Sequence, residues 1–319
     1  MNKIFKVIWS KSKQCYIVVS EMAKNKSGKK KIVVASILAA MVAGQAMQID
    51  ASGAITPSND QGSIAISGHG NTLSDRASAN KVDAIAIGRE SKVSGNGGIA
   101  IGRGAQGYQN AVSVGWAADG AGWGSIAIGP KTESGYIDVA NKEVSSNGNY
   151  AVSIGAGAQS NGAAAMALGV LSSAKQDQAL AVGRSASADG VGSFAAGLQT
   201  QATGAGSIAI GGATSNTASS GATANGQAAI AIGNQSKASE LNAIAIGTGT
   251  NVTKQNATAV GSGASVTGHN ATAVGNDTKA IKQYDNAFGY TSTASGGAAT
   301  ALGYHAIASG NQTVALGSR

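Results

Sequence analysis

The chain has 319 residues, of which 47 are glycine and 2 proline, with 4% aromatic and 12% charged side chains. Typical domains are about 25% charged and richer in large side chains, so the composition excludes an ordinary globule with one thick core and favours a thin architecture. The formal charge of +8 does not mark a nucleic-acid binder: nine lysines fall in residues 1–54 against Glu21 and Asp50, which leaves the rest at +1 with no basic cluster.

At the N-terminus, Lys29, Lys30 and Lys31 precede the apolar run IVVASILAAMVA (32–43), and small residues follow at Ala46, Ala51 and Ala54. This is the order of a secretory signal: a basic region, an apolar core and a cleavage site, here within about 46–54. Twelve apolar residues fall short of the ~20 that a membrane-spanning helix needs. The preceding stretch, MNKIFKVIWSKSKQCYIVVSEMAKNKSG, resembles the extended signal peptide region of type V secreted proteins of diderm bacteria. Residues 1–54 are therefore expected to form a helical signal region removed on secretion. Cys15, the only cysteine, lies inside it, so no disulfide can staple the mature chain.

Beyond the leader one phrase recurs: apolar, small, apolar, glycine. It ends at Gly88, Gly102, Gly115, Gly129, Gly155, Gly169, Gly183, Gly197 and Gly211, and then at Gly233, Gly247, Gly261, Gly275, Gly289, Gly303 and Gly317. A degenerate copy ends at Ser67. Twelve of the fifteen spacings are 14 residues; the others are 13, 26 and 22, which places insertions of 12 and 8 residues near 130–149 and 212–227. Alternation within the phrase has the period of a strand with unlike faces, and a second short alternation follows the glycine. Two short strands and two turns per repeat make one coil of a parallel β-solenoid, all-β, with about 17 coils over residues 55–319. At ~4.8 Å per coil the stack spans roughly 80 Å.

The faces differ in size. Alanine and serine fit a narrow coil interior, whereas a row of isoleucine, valine and leucine is too bulky for it and should point outward. The reverse assignment, with isoleucine inside, is open from sequence alone. An outward apolar stripe of this length cannot stay bare on a soluble monomer, and cyclic self-association would cover it. Ile87, Ile101, Ile128, Ile210, Ile232 and Ile246 are the expected interface residues.

The copies GIAIGRGA (98–105), SIAIGGAT (207–214) and AIAIGNQS (229–236) resemble the head repeats of YadA-like trimeric autotransporter adhesins. The resemblance implies a left-handed parallel β-roll, a homotrimeric head and display on the outer surface of a diderm bacterium. It also implies attachment to host matrix of the collagen, fibronectin or laminin type, or to partner bacterial cells. A structural spacer or self-association module without its own receptor is the alternative. Members of that family continue into a neck, a coiled-coil stalk and a β-barrel anchor. This sequence stops two residues past Gly317 without heptads or amphipathic membrane strands, so it reads as a fragment or a truncated product. Any hold on a membrane is expected through an anchor absent from it.

No catalytic set is expected. Gly102–Gly107 satisfies the dinucleotide-binding glycine pattern, but the next coil follows it instead of a helix. His69, His269 and His305 are far apart in coil order, and the mature acids are scattered through turns, where solvated surface charge is expected. The reading is a non-enzyme with no cofactor and no metal. Tyr108, Trp116, Trp123, Tyr136 and Tyr150 cluster around the first insertion and are the expected receptor contacts. Tyr290 and Tyr304 each follow a repeat glycine in adjacent coils, so their rings could stack.

Overall fold

The computed structural model describes residues 5–10, 15–20, 45–49, 55–67, 76–131, 142–214 and 221–318, with side chains from Gly62 onward. The chain divides into two units, Met1–Gly44 and Gln45–Arg319. In the first, Phe5–Ser10 and Cys15–Ser20 pair antiparallel, with Phe5 opposite Ser20 and Ser10 opposite Cys15. FKVIWS and CYIVVS concentrate the β-branched and aromatic residues that favour strands, and the helix expected of the leader falls mostly outside the described residues. The apolar core of the leader, 32–43, lies outside the described residues.

The second unit opens with Gln45–Ile49, which lies parallel to Ile64–Ile66 and antiparallel to Ile55–Gln61. From Ile64 onward the chain is a parallel solenoid. Each repeat contributes a three-residue strand to a long sheet, running from Ile64–Ile66 to Val314–Leu316, and a two-residue strand to a 16-stranded second sheet. The register is that of the sequence repeat. Ile230, Ala231 and Ile232 lie opposite Ile244, Ala245 and Ile246, and Lys237 and Ala238 lie opposite Asn251 and Val252. Each coil thus supplies hydrogen-bond partners to the next, as when the Gly183 amide donates to the Leu168 carbonyl at 2.8 Å.

Alanine faces inward. Ala86, Ala100, Ala181, Ala231 and Ala245 are fully buried between the two sheets, and the largest fully buried side chains among the described residues are Val144, Val252 and Val266. The flanking isoleucines point out, which settles the assignment of faces left open by the sequence. A core this thin buries little area per residue, so its stability must be gathered over many coils.

The coil closes through two turns, named here turn A, at the repeat glycine, and turn B, after the second strand. Turn A dictates the recurring glycine. Gly183 has φ +126°, and a Cβ there would sit 2.6 Å from the carbonyl oxygen of Gly197 in the next coil. Neither the torsion nor the space admits a side chain. The 13-residue coil takes its deletion at turn B, where the Ala111 amide donates to the Tyr108 carbonyl at 3.2 Å.

Both insertions leave from turn A. The first departs after Lys131, whose amide donates to the Trp116 carbonyl, and the ladder resumes at Val144 and Ser145. The second departs after Ala213, whose amide donates to the Leu198 carbonyl, and returns at Gly221, whose amide donates to the Gln199 carbonyl. The insertions disturb one edge of the solenoid and leave both sheets continuous.

Candidate functional site: the outer face and the two edges

The outer face of the long sheet carries two parallel rows of side chains. The leading row contains Ile85, Ile99, Ile126, Ile208, Ile230 and Ile244; the trailing row contains Ile87, Ile101, Ile128, Ile210, Ile232 and Ile246, the residues expected at an interface. Strand pairing stacks the trailing residues into one line, Ile87 beside Ile101 and Ile232 beside Ile246, with valines, leucines and Ala196 in the coils between. Ile101, Ile128 and Ile210 are 36–37% exposed, and Ile87, Ile232 and Ile246 are half-buried by their neighbours along the line. A stripe ~80 Å long and ~10 Å wide presents about 800 Å² of apolar surface, beyond the few hundred Å² usual on monomers.

The trailing row stays apolar to its end at Val260, Val274, Phe288, Leu302 and Leu316. The leading row does not. After Ile244 it reads Thr258, Thr272, Asn286 and Thr300, and then Val314. The change is spread over positions 14 residues apart in the chain and becomes visible only when the strands are stacked by row.

The aromatic residues around the first insertion are divided between the two edges. Trp116 lies on turn A at the root of the insertion, half-buried, and Lys131 beside it pairs with Glu143 at 3.0 Å. Tyr108, Trp123 and Tyr150 lie on turn B. Trp123 and Tyr150 meet edge to face in consecutive coils, with ring centroids 4.7 Å apart at 88°. The Tyr150 amide donates to the Trp123 carbonyl, and the Trp123 amide donates to Asn149 Oδ1. Tyr150 is 59% exposed, and Tyr108 and Trp123 are also exposed. Tyr136 lies outside the described residues. Farther along turn A, Tyr290 and Tyr304 stack at 5.5 Å and 9°, and the His305 ring stands edge-on to both.

Asp285 departs from the expectation of solvated surface acids. It is fully buried at a position that is alanine in the adjoining coils, where it accepts hydrogen bonds from the amides of Lys282, Gly297 and Ala299 at 2.8–3.0 Å. Three backbone donors take the place of water around the carboxylate, which makes burial tolerable. Asp119 is a perturbed acid. Burial, with Glu143 adding repulsion, raises its pKa above 3.8. Among the described residues no three His, Cys, Asp or Glu side chains stand close enough to hold a metal ion.

Residues 1–48 match the family described as the extended signal peptide of the type V secretion system. Residues 79–105, 160–186, 188–214, 224–250, 253–278, 287–306 and 294–319 match the YadA head domain repeat, together more than half of the chain. No curated protein matches the chain. The family is one of adhesins, not of enzymes. The repeat matches fall on the stacked coils, and the leader match falls on the segment read as an extended signal. The chain belongs to the YadA head repeat family, as a surface module of the trimeric autotransporter adhesin type that type V secretion delivers to the cell surface of a Gram-negative bacterium.

Proposed function

We propose that the mature chain is a homotrimeric adhesin head attaching to host extracellular matrix or to other cells, with residues 1–54 removed on secretion. The unbroken trailing row supports self-association, since a stripe of about 800 Å² per chain equals one side of a standard protein interface. It also favours further copies of this chain as the occupants. A partner built of the same coils repeats at the same spacing, so every coil meets a counterpart at its own height.

Attachment is assigned to the coil edges, and the carrying observation is that both insertions leave from turn A while both sheets run on beneath them. Trp116 stands at the root of the first insertion on this edge; Tyr108, Trp123 and Tyr150 supply rigid contact area on the other. No catalytic role is assigned to any residue. The alternative, a spacer without its own receptor, is favoured by the regularity of the coils beyond Gly221.

The test is binding of the purified assembly to collagen, fibronectin, laminin and partner bacteria. One variant has the 12-residue insertion removed and carries Trp116→Ala; another carries Trp123→Ala with Tyr150→Ala. Loss of about 2 kcal/mol of binding, roughly thirtyfold, in one variant with folding intact would locate the receptor edge. Full binding by both folded variants, or none by the unaltered head, would leave the spacer reading.

A further inference from the structure

A solenoid of near-identical coils that associates side by side has a register problem. Sliding one copy by a single coil, ~4.8 Å, returns aliphatic side chains to aliphatic neighbours almost everywhere. Apolar contact therefore holds the copies together without saying at what height they should meet. The trailing row cannot supply that information, because it is apolar from Ile66 to Leu316.

The leading row can. Its polar block, Thr258, Thr272, Asn286 and Thr300, is bounded by Ile244 on one side and Val314 on the other. All four side chains are half-buried on the outer face beside the apolar trailing row. The three threonine hydroxyls have no partner among the described residues. The Asn286 amide donates to the Tyr284 carbonyl at 3.0 Å, which leaves its Oδ1 and second N–H for another chain. In matched register, threonine meets threonine, and asparagine meets asparagine as both donor and acceptor. After a one-coil slip, Thr258 of one copy faces Ile244 of the next, and Val314 of the first faces Thr300 of the next, burying hydroxyls against aliphatic groups at both ends of the block.

We propose that this four-coil polar block is a register key, which sets the axial alignment of the copies at some cost in apolar contact. It plays the part that a single buried asparagine plays in a coiled coil. The inference rests on self-association through the outer face, and the experiment reports on that separately.

The mature chain lacks cysteine, so single reporters are clean. Ile232→Cys and Val260→Cys are introduced into separate, size-tagged copies of the full chain, each also carrying Cys15→Ser, which are co-assembled and oxidised. In register these positions stand two coils apart, about 10 Å, too far for a disulfide, whereas a one-coil slip halves that offset and a two-coil slip brings them level and within range. Ile232→Cys alone should cross-link to itself, and failure there would remove the interface reading rather than the key. The test variant, Thr258→Val, Thr272→Val, Asn286→Leu and Thr300→Val, keeps side-chain shape and removes polarity. It should remain assembled at an equal or higher melting temperature, with the mixed 232–260 disulfide raised at least tenfold. An unchanged mixed disulfide would overturn the proposal, and so would dissociation of a folded variant, which would make the block an adhesive and not a key. If the fourfold variant does not fold, Asn286→Leu alone is read in the same assay. A rise in the mixed product supports the key, and no rise overturns it.

Discussion

Gly183 and Gly192 are the same residue held for different reasons. At Gly183 the torsion of +126° and the 2.6 Å approach to Gly197 both exclude a Cβ. Gly192 sits at φ +62° with nothing within 4 Å, at a turn-B position that Ala164 and Ala228 occupy in other coils at φ +55°. Gly183→Ala should therefore cost about 3 kcal/mol or more, and Gly192→Ala only about 1, measured as urea midpoints. Equal midpoints would mean that turn A relaxes more freely than its stacking indicates. Asp119 makes a prediction with a definite sign. Its folded pKa is raised, so the unfolded chain loses this proton first as pH rises. Stability from this group is full below about 3.8 and declines as pH climbs through the folded value. Asp119→Asn should raise the melting temperature at neutral pH and leave it unchanged near pH 3; a lowered value at neutral pH would contradict the assignment. The burial of Asp285 was not legible in the sequence, because its three amide donors belong to a turn and to the following coil.

At the scale of one coil, size decides which face is which. Apart from Asp285, the buried side chains are alanine, serine, threonine and valine between two closely spaced sheets, so added methylenes have little room. Ala231→Leu should destabilise by about 1–3 kcal/mol, whereas Ile230→Leu, one residue away on the outer face, should change folding little in the isolated chain. Thermal melts of the two variants check this, and a mild effect at Ala231 would mean that the two sheets can part. The coil was legible because its period is short and local: two residues per strand alternation and one repeat glycine per coil. The exits of the insertions were not. Spacings of 26 and 22 reveal extra residues without telling which of two turns holds them. That is decided by where the ladder resumes, at Val144 in one case and Gly221 in the other.

For the whole molecule the decisive prediction concerns the outer face. Ile232→Asp with Ile246→Asp places two charges per chain in the middle of the trailing row. If copies pack there, each buried isoleucine contributes ~1.5–3 kcal/mol, and the paired change should dissociate the assembly. Sedimentation and circular dichroism on the same sample read the outcome; an intact oligomer with an unchanged melting temperature would move the interface off this face.

The sequence by itself determined the solenoid, its period, its register, the separation of small from large faces and the export signal. All of these rest on residues close in the chain, repeated until chance is excluded. Only the tertiary structure decided that alanine is the buried face, that both insertions share one edge, that Trp123 and Tyr150 meet while Trp116 stands apart, and that four polar residues line up beside an apolar row. The reason is the same in each case. Stacking brings together residues a full repeat or more apart, and which of them touch depends on how each coil closes on itself.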